Sequence, residues 1–252
     1  MKVSVWIRLL VVLLLVTTVL GGRLYYLRTV KKSYDYSAYY VPKTRTDPAD
    51  VTVLPKENDE TELSLELLKR TNSDIVGILE FPGRVIYEPF VQAKDDEYYL
   101  RRNLEGKYSA AGIAFISGGS SLDSTNILIY GHSGGRDAVV FTPLMNYTDK
   151  EYYRKNPKFI MHTFTGDREY TIFAVLNIDP KDRGDTLEFT RSSWRKEVDY
   201  EAFLNDMRKR SLYDTGVSVS VKDRILTLVT CDTRDNSKRI VVIAKETNRE
   251  GR

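Results

Sequence analysis

The chain holds one cysteine and two histidines among 252 residues, so thiol and imidazole chemistry must run through very few positions. Cys231 closes the apolar run Ile225 to Thr230 in "RILTLVTC", and Arg239 follows eight positions later at the head of "RIVVIAKE". A free cysteine is either a small buried hydrophobe or a nucleophile whose thiolate is favoured by nearby positive charge. A residue just past the end of a buried strand sits at a sheet rim, held rigidly yet reachable, which suits the nucleophile. If the next strand pairs back antiparallel, Arg239 comes close to the sulfur, where its guanidinium favours thiolate and can donate to a developing oxyanion. Arg234, in the connection "DTRDNSK", is the rival for the same job.

A cysteine nucleophile needs a proton partner, and the choice lies between His132 and His162. His132 in "ILIYGHSGGRD" ends an apolar strand before a glycine-rich turn, mirroring Cys231. His162 in "KFIMHTF" lies inside a strand pattern and reads as a structural or exposed strand residue. Functional groups concentrate where loops leave a rigid scaffold, which favours His132 as the base. Ser133 beside it lacks a nucleophile-elbow context. "SGGSS" (117–121) and "GHSGG" (131–135) resemble phosphate-cradling loops but lack the Gly-Lys-Ser/Thr ending and read as plain turns. Asp95, Asp96 and Glu97 read as a helix amino terminus, because adjacent carboxylates do not flank a bond from opposite sides as a glycosidase pair must. One cysteine makes no internal disulfide, and with two histidines it makes no Cys/His zinc site unaided, so neither metal nor cofactor is expected.

The elements that must position these groups are mostly short strands. "DIVGILEFPGRVIYEPFVQ" alternates about a turn at Pro82-Gly83, and "TFTGDREYTIFAVLNID" reads as a hairpin turning at Gly166-Asp167. "AGIAFIS", "TNILIYGH", "KFIMHTF", "RILTLVTC" and "RIVVIAKE" are further β-branched runs bounded by turn residues. Many short strands with few helices between them favour a barrel or sandwich over a doubly wound sheet. Helices are expected over 61–72, capped by Thr61 or Asp59, and over 95–104, 147–156 and 199–213.

The amino terminus reads "MKVSVWIRLLVVLLLVTTVLGGRLYYLRTVKK", with an uncharged stretch from Leu9 to Gly22 that reaches spanning length if Arg8 snorkels to the interface. A small-x-small cleavage pattern is poor there, which favours a retained anchor over a cleaved signal peptide. The expected organisation is a short cytoplasmic tail over 1–8, a transmembrane anchor over 9–27, an extended linker over 28–60 broken by Pro42, Pro48 and Pro55, and a catalytic domain over 61–252. The net charge of +3 comes from 38 basic and 35 acidic residues, interspersed without a Lys/Arg block, so no nucleic-acid partner is expected.

A membrane anchor, a β-rich domain carrying "YGH", then "TLVTC", then an arginine opening "RIVVIAK" resembles the sortases, the cysteine transpeptidases of Gram-positive cell surfaces. The stretch "IYEPFVQAKDDEYYLRRN" before the histidine and the helix "DYEAFLNDMRKRSLY" before the cysteine strand are similar to class B, over roughly residues 73–246. The resemblance implies a mostly β fold, a closed eight-stranded sortase-type barrel with an N-terminal helix and a helix before the cysteine strand. It implies Cys231 as nucleophile, His132 as acid/base and Arg239 as stabiliser of the substrate carbonyl. Leu228, Val229 and Thr230 match the family's "TLxTC" and are implied substrate contacts, although class B members often carry serine where Val229 stands. The implied partners are the sorting-signal peptide of an exported protein, cleaved after threonine through a thioacyl enzyme, and the amine nucleophile of a cell-wall precursor. The domain is then placed on the extracellular side. A pilin-polymerising or mainly hydrolytic enzyme is the alternative within that chemistry, and a non-catalytic surface binding module is the alternative outside it.

Overall fold

The computed structural model describes residues 11–22, 24, 35–43, 61–92, 94–134, 140–181 and 189–247. Eight strands close into a barrel: β3 (Ile75–Glu80), β4 (Tyr87–Gln92), β5 (Ala114–Ile116), β6 (Asn126–Tyr130), β7 (Lys158–Thr163), β8 (Gly166–Ile178), β9 (Ile225–Cys231) and β10 (Arg239–Glu246). Their order around the barrel is β10-β8-β7-β3-β4-β5-β6-β9, with β9 pairing back onto β10. The β4/β5 and β6/β9 pairs are parallel and the others antiparallel. Closure removes the sheet edges that an open array of such short strands would expose.

The apolar run of β9 is continuous rather than alternating because both of its faces are covered. Leu226 and Leu228 pack in the barrel interior with Phe90, Phe141 and Tyr170. Ile225 and Val229 pack outside it, under the helix α3 (Glu197–Arg210). That helix turns Tyr200, Phe203, Leu204 and Met207 inward at helical spacing. It carries Glu197 and Asp199 in its first turn and Arg208, Lys209 and Arg210 in its last, the charge order its dipole favours. At about 1.5–3 kcal/mol for each fully buried large apolar side chain, these two layers are what fix the end of β9 in place.

Several expected elements differ in detail. Residues 61–72 divide into a strand β2 (Thr61–Leu63) and a helix α1 (Leu65–Thr71). The cap of α1 is Ser64, whose hydroxyl accepts from the Leu67 amide at 3.3 Å, rather than Thr61 or Asp59. β2 pairs with β1 (Tyr40–Pro42), and Tyr36 is buried against Leu63, Leu68 and Tyr87, so the expected linker touches the barrel domain at these two places. The expected helix over 95–104 is a single 3-10 turn at Tyr98–Arg101. Asp95 accepts from the amides of Glu97 and Tyr98, a local side-chain alternative to helical bonding. The 147–156 helix shrinks to α2 (Lys150–Lys155) with Asp149 as cap, after a 3-10 segment at Thr142–Thr148. The hairpin of β7 and β8 turns at Phe164 and Thr165, since Thr163 pairs with Gly166, and Gly166 takes φ +114°, a conformation costly for other residues. The last helix starts two residues earlier and stops three earlier than expected, leaving Leu212 exposed.

Residues 11–22 are helical. No helix among the described residues is long and apolar enough to cross a membrane. The expected anchor over 9–27 extends beyond them, because residues 9, 10, 23 and 25–27 lie outside the described part.

Candidate active site

Cys231 stands at the end of β9, half-exposed, directly opposite Arg239, the first residue of β10. This is the antiparallel return that brings the guanidinium to the sulfur's side of the sheet. The Arg239 Nη1 donates to the carbonyls of Asn236 at 3.1 Å and Lys238 at 2.9 Å, so the fork is braced by its own loop. Among the described residues no carboxylate pairs with it. Arg234, the rival, donates from Nε and Nη2 to both oxygens of Asp232, at 3.0 and 2.8 Å. Asp232 itself is buried, also accepts from Asn177 at 3.0 Å, and is held below the usual carboxylate range first by the Arg234 guanidinium.

β6 runs parallel to β9, so the residues that follow both strands emerge at the same rim. Tyr130 is paired with Val229, and Gly131 and His132 come next. Gly131 is required there by packing, since a Cβ would lie 2.5 Å from the Phe141 ring. His132 Nε2 lies 2.9 Å from the Leu100 carbonyl. A carbonyl only accepts, so Nε2 carries the hydrogen and Nδ1 is the nitrogen that can take a proton. Burial holds the His132 pKa below its ordinary value, opposed by the Leu100 contact and assisted by the Arg101 charge. The ring is therefore favoured as the neutral base.

One groove of about 320 Å3 is lined by Cys231, His132 and Arg239 together with Asp96, Leu100, Phe115, Tyr130, Gly131, Val229 and Thr230. Side chains from two distant stretches of the chain, His132 from one and Cys231 with Arg239 from the other, thus line one surface. Val229 and Thr230 are part of its wall, and the Thr230 hydroxyl donates to the Gly131 carbonyl at 2.8 Å. Leu228, the third expected contact, is fully buried in the barrel interior, deeper along β9 than Thr230, and does not line the groove. His162 lies on β7, bonded at 2.8 Å to Glu80 through Nε2 and at 2.8 Å to Asp167 through Nδ1, and lines a different groove.

Asp96, Leu100, Phe115 and Tyr130 are groove residues that the sequence pattern does not single out. Asp96, expected with its neighbours to open a helix, instead accepts from the Gly118 amide and the Ser117 hydroxyl and forms a groove wall. The signal available is Tyr130, an aromatic with a polar tip immediately before Gly131-His132. Burial pushes its phenol to about 12, helped by the Asp96 charge and opposed by that of Arg239, so it stays a protonated donor. Among the described residues no cluster of three or more His, Cys, Asp or Glu could hold a metal ion.

Known proteins resemble the chain in sequence and in fold. A family model described as the sortase domain matches residues 90–247. Sortase B of Listeria monocytogenes is 32% identical over 189 residues, 74% of this chain and 74% of its own length. Sortase B of Staphylococcus aureus is 29% identical over 197 residues, 77% of this chain and 78% of its own. Among solved structures, Clostridium perfringens sortase B superposes with a TM-score of 0.68 at 30% identity, covering 73% of this chain and all of that one. A substrate complex of the Staphylococcus aureus enzyme gives 0.66 at 30% identity over 73% of this chain and 84% of that one. With a family model covering more than half of its length and a closed eight-stranded barrel like theirs, the chain belongs to the sortase family of cysteine transpeptidases, in its class B.

Proposed function

We propose that this cell-wall transpeptidase works through Cys231, His132 and Arg239 on the sorting signal of an exported protein. The observation that carries the reading is their shared groove, in which a thiol, an imidazole and a guanidinium without a carboxylate partner among the described residues meet at one rim. His132 takes the thiol proton at Nδ1, and the sulfur attacks the carbonyl of the signal's threonine. Arg239 donates to the oxygen as negative charge builds on it. The imidazolium returns its proton to the leaving amine, and a thioester remains on Cys231. An amine of a peptidoglycan precursor then attacks the thioester, with His132 accepting its proton, so that a new amide replaces the old one. Val229 and Thr230 contribute the wall along which the peptide lies. Staphylococcus aureus sortase B is known in complex with its substrate, and a sortase B is known in complex with triglycine, which fits a peptide donor and an amine acceptor for this chain too.

The enzyme is held at the membrane by residues 9–27, with the barrel outside, an assignment supported by the uncharged Leu9 to Gly22 stretch. The test is incubation of the full chain in detergent with a library of threonine-containing pentapeptide signals and a glycine-based amine. The expected result is amide exchange at threonine, abolished in Cys231→Ala and nearly abolished in His132→Ala. Undiminished exchange in Cys231→Ala would remove the assignment.

A further inference from the structure

We propose that Ser133, to which the sequence alone assigns no chemistry, is a positioning residue that sets the separation of His132 from Cys231. This rests on the roles given to those two residues above. The parallel ladder between β6 and β9 ends with the pair Tyr130 and Val229, and one more rung follows, the Gly131 amide donating to the Val229 carbonyl at 3.1 Å. From there the two chain segments that carry the reacting groups part company. The His132 carbonyl is taken by the Phe141 amide at 2.9 Å, and Cys231 pairs with Arg239 on its other side. Two hydroxyls continue the ladder in place of backbone groups. Thr230 Oγ1 donates to the Gly131 carbonyl at 2.8 Å, and Ser133 Oγ donates to the Cys231 carbonyl at 2.6 Å.

These bonds run in opposite directions and bracket His132. The residue before it is tied to the residue before the cysteine, and the residue after it is tied to the cysteine itself. Neither hydroxyl has to touch a substrate to matter. Thr230 lies on a strand flanked by β6 and β10, whereas Ser133 sits in a loop that is otherwise held towards Phe141, Thr142 and Leu100, so its hydroxyl is the bond that ties the segment after His132 to Cys231 itself. Displacement of a reacting group by about 1 Å costs on the order of a hundredfold in rate, which is the scale on which a lost tether is felt.

The test uses the full chain with Ser133→Ala and Ser133→Thr. With a sorting peptide, Ser133→Ala is expected to lower kcat by at least about tenfold while KM stays within about threefold, because the lost effect lies in the reacting geometry. Ser133→Thr, which keeps the hydroxyl, should recover most of the loss, and an unchanged thermal midpoint would show that the barrel is intact. A second arm needs no sorting peptide. The pH profile of Cys231 alkylation by iodoacetamide should be displaced in Ser133→Ala in the same direction as in His132→Ala, since both uncouple the thiol from the imidazole. If wild-type protein turns over no peptide, the functional reading fails and the alkylation arm alone decides on Ser133. Wild-type kcat in Ser133→Ala, or coincident alkylation profiles of the two proteins, overturns the proposal.

Discussion

At the scale of residues, the site depends on which charges are already engaged. Two arginines follow Cys231 in sequence, and the structure separates them by partner: Arg234 is neutralised across both oxygens of Asp232, whereas Arg239 is braced by carbonyls and meets no carboxylate among the described residues. Substituting Arg239 by Ala should therefore lower kcat by at least about tenfold, and Arg239→Lys should restore only part of it, because an ammonium cannot reproduce the guanidinium fork. Arg234→Ala, measured in the same peptide assay, should change kcat far less. The grouping of Cys231, His132 and Arg239 is legible in the sequence because strand ends and a short connection announce themselves locally. The Asp96 wall is not, since its carboxylate reaches the groove through bonds to Ser117 and Gly118, some twenty positions away, which no local pattern encodes.

At the scale of elements, the strand ends hold the reacting groups through contacts that tolerate little change. Gly131 lies so close to Phe141 that Gly131→Ala must move either the ring or the strand end bearing His132. A loss of at least about tenfold in kcat, larger than the loss in thermal stability would suggest, is expected from peptide-cleavage rates and melting curves on the same protein. On the opposite side of the barrel, His162 ties β7 to Glu80 of β3 and Asp167 of β8, and Glu80 continues to Arg84, whose guanidinium donates to the Thr61 carbonyl in β2. Burial works against the His162 imidazolium, but the bonds to Glu80 and Asp167 outweigh it and raise the pKa above its ordinary value, while the His162 bond lowers that of Glu80 below the usual carboxylate range. The His162 contribution is thus complete below its unfolded value and lost as pH rises through the raised folded one. The Glu80 contribution is lost only as pH falls through its lowered value. Melting temperatures of wild-type and His162→Ala should differ more at about pH 6 than at about pH 9, with peptide turnover within about twofold at either. Equal differences at both would contradict the clamp. Strand positions are largely legible because β-branched runs recur between turn residues. The segment 95–104 looks helical in sequence and is not, because Asp95 satisfies its amides locally, and β2 is hidden because its partner β1 lies about twenty residues upstream.

At the scale of the whole molecule, the barrel is a device for bringing two strand ends and one strand start to a single rim, and the parallel β6/β9 pair does most of this. The closed order of strands is legible only through the family resemblance, because no sequence pattern states that β9 sits between β6 and β10. The proposed anchor role of the amino-terminal stretch has its own test: full-length protein should co-sediment with lipid vesicles, and protein lacking residues 1–34 should remain in solution with its turnover intact. The central claim is that Cys231 carries the acyl group between two amides, and intact-protein mass spectrometry after mixing with excess sorting peptide tests it most directly. One adduct is expected, with the mass of the peptide up to its threonine, mapped to Cys231 and discharged on adding triglycine. No adduct, or one that persists in Cys231→Ala, would contradict it.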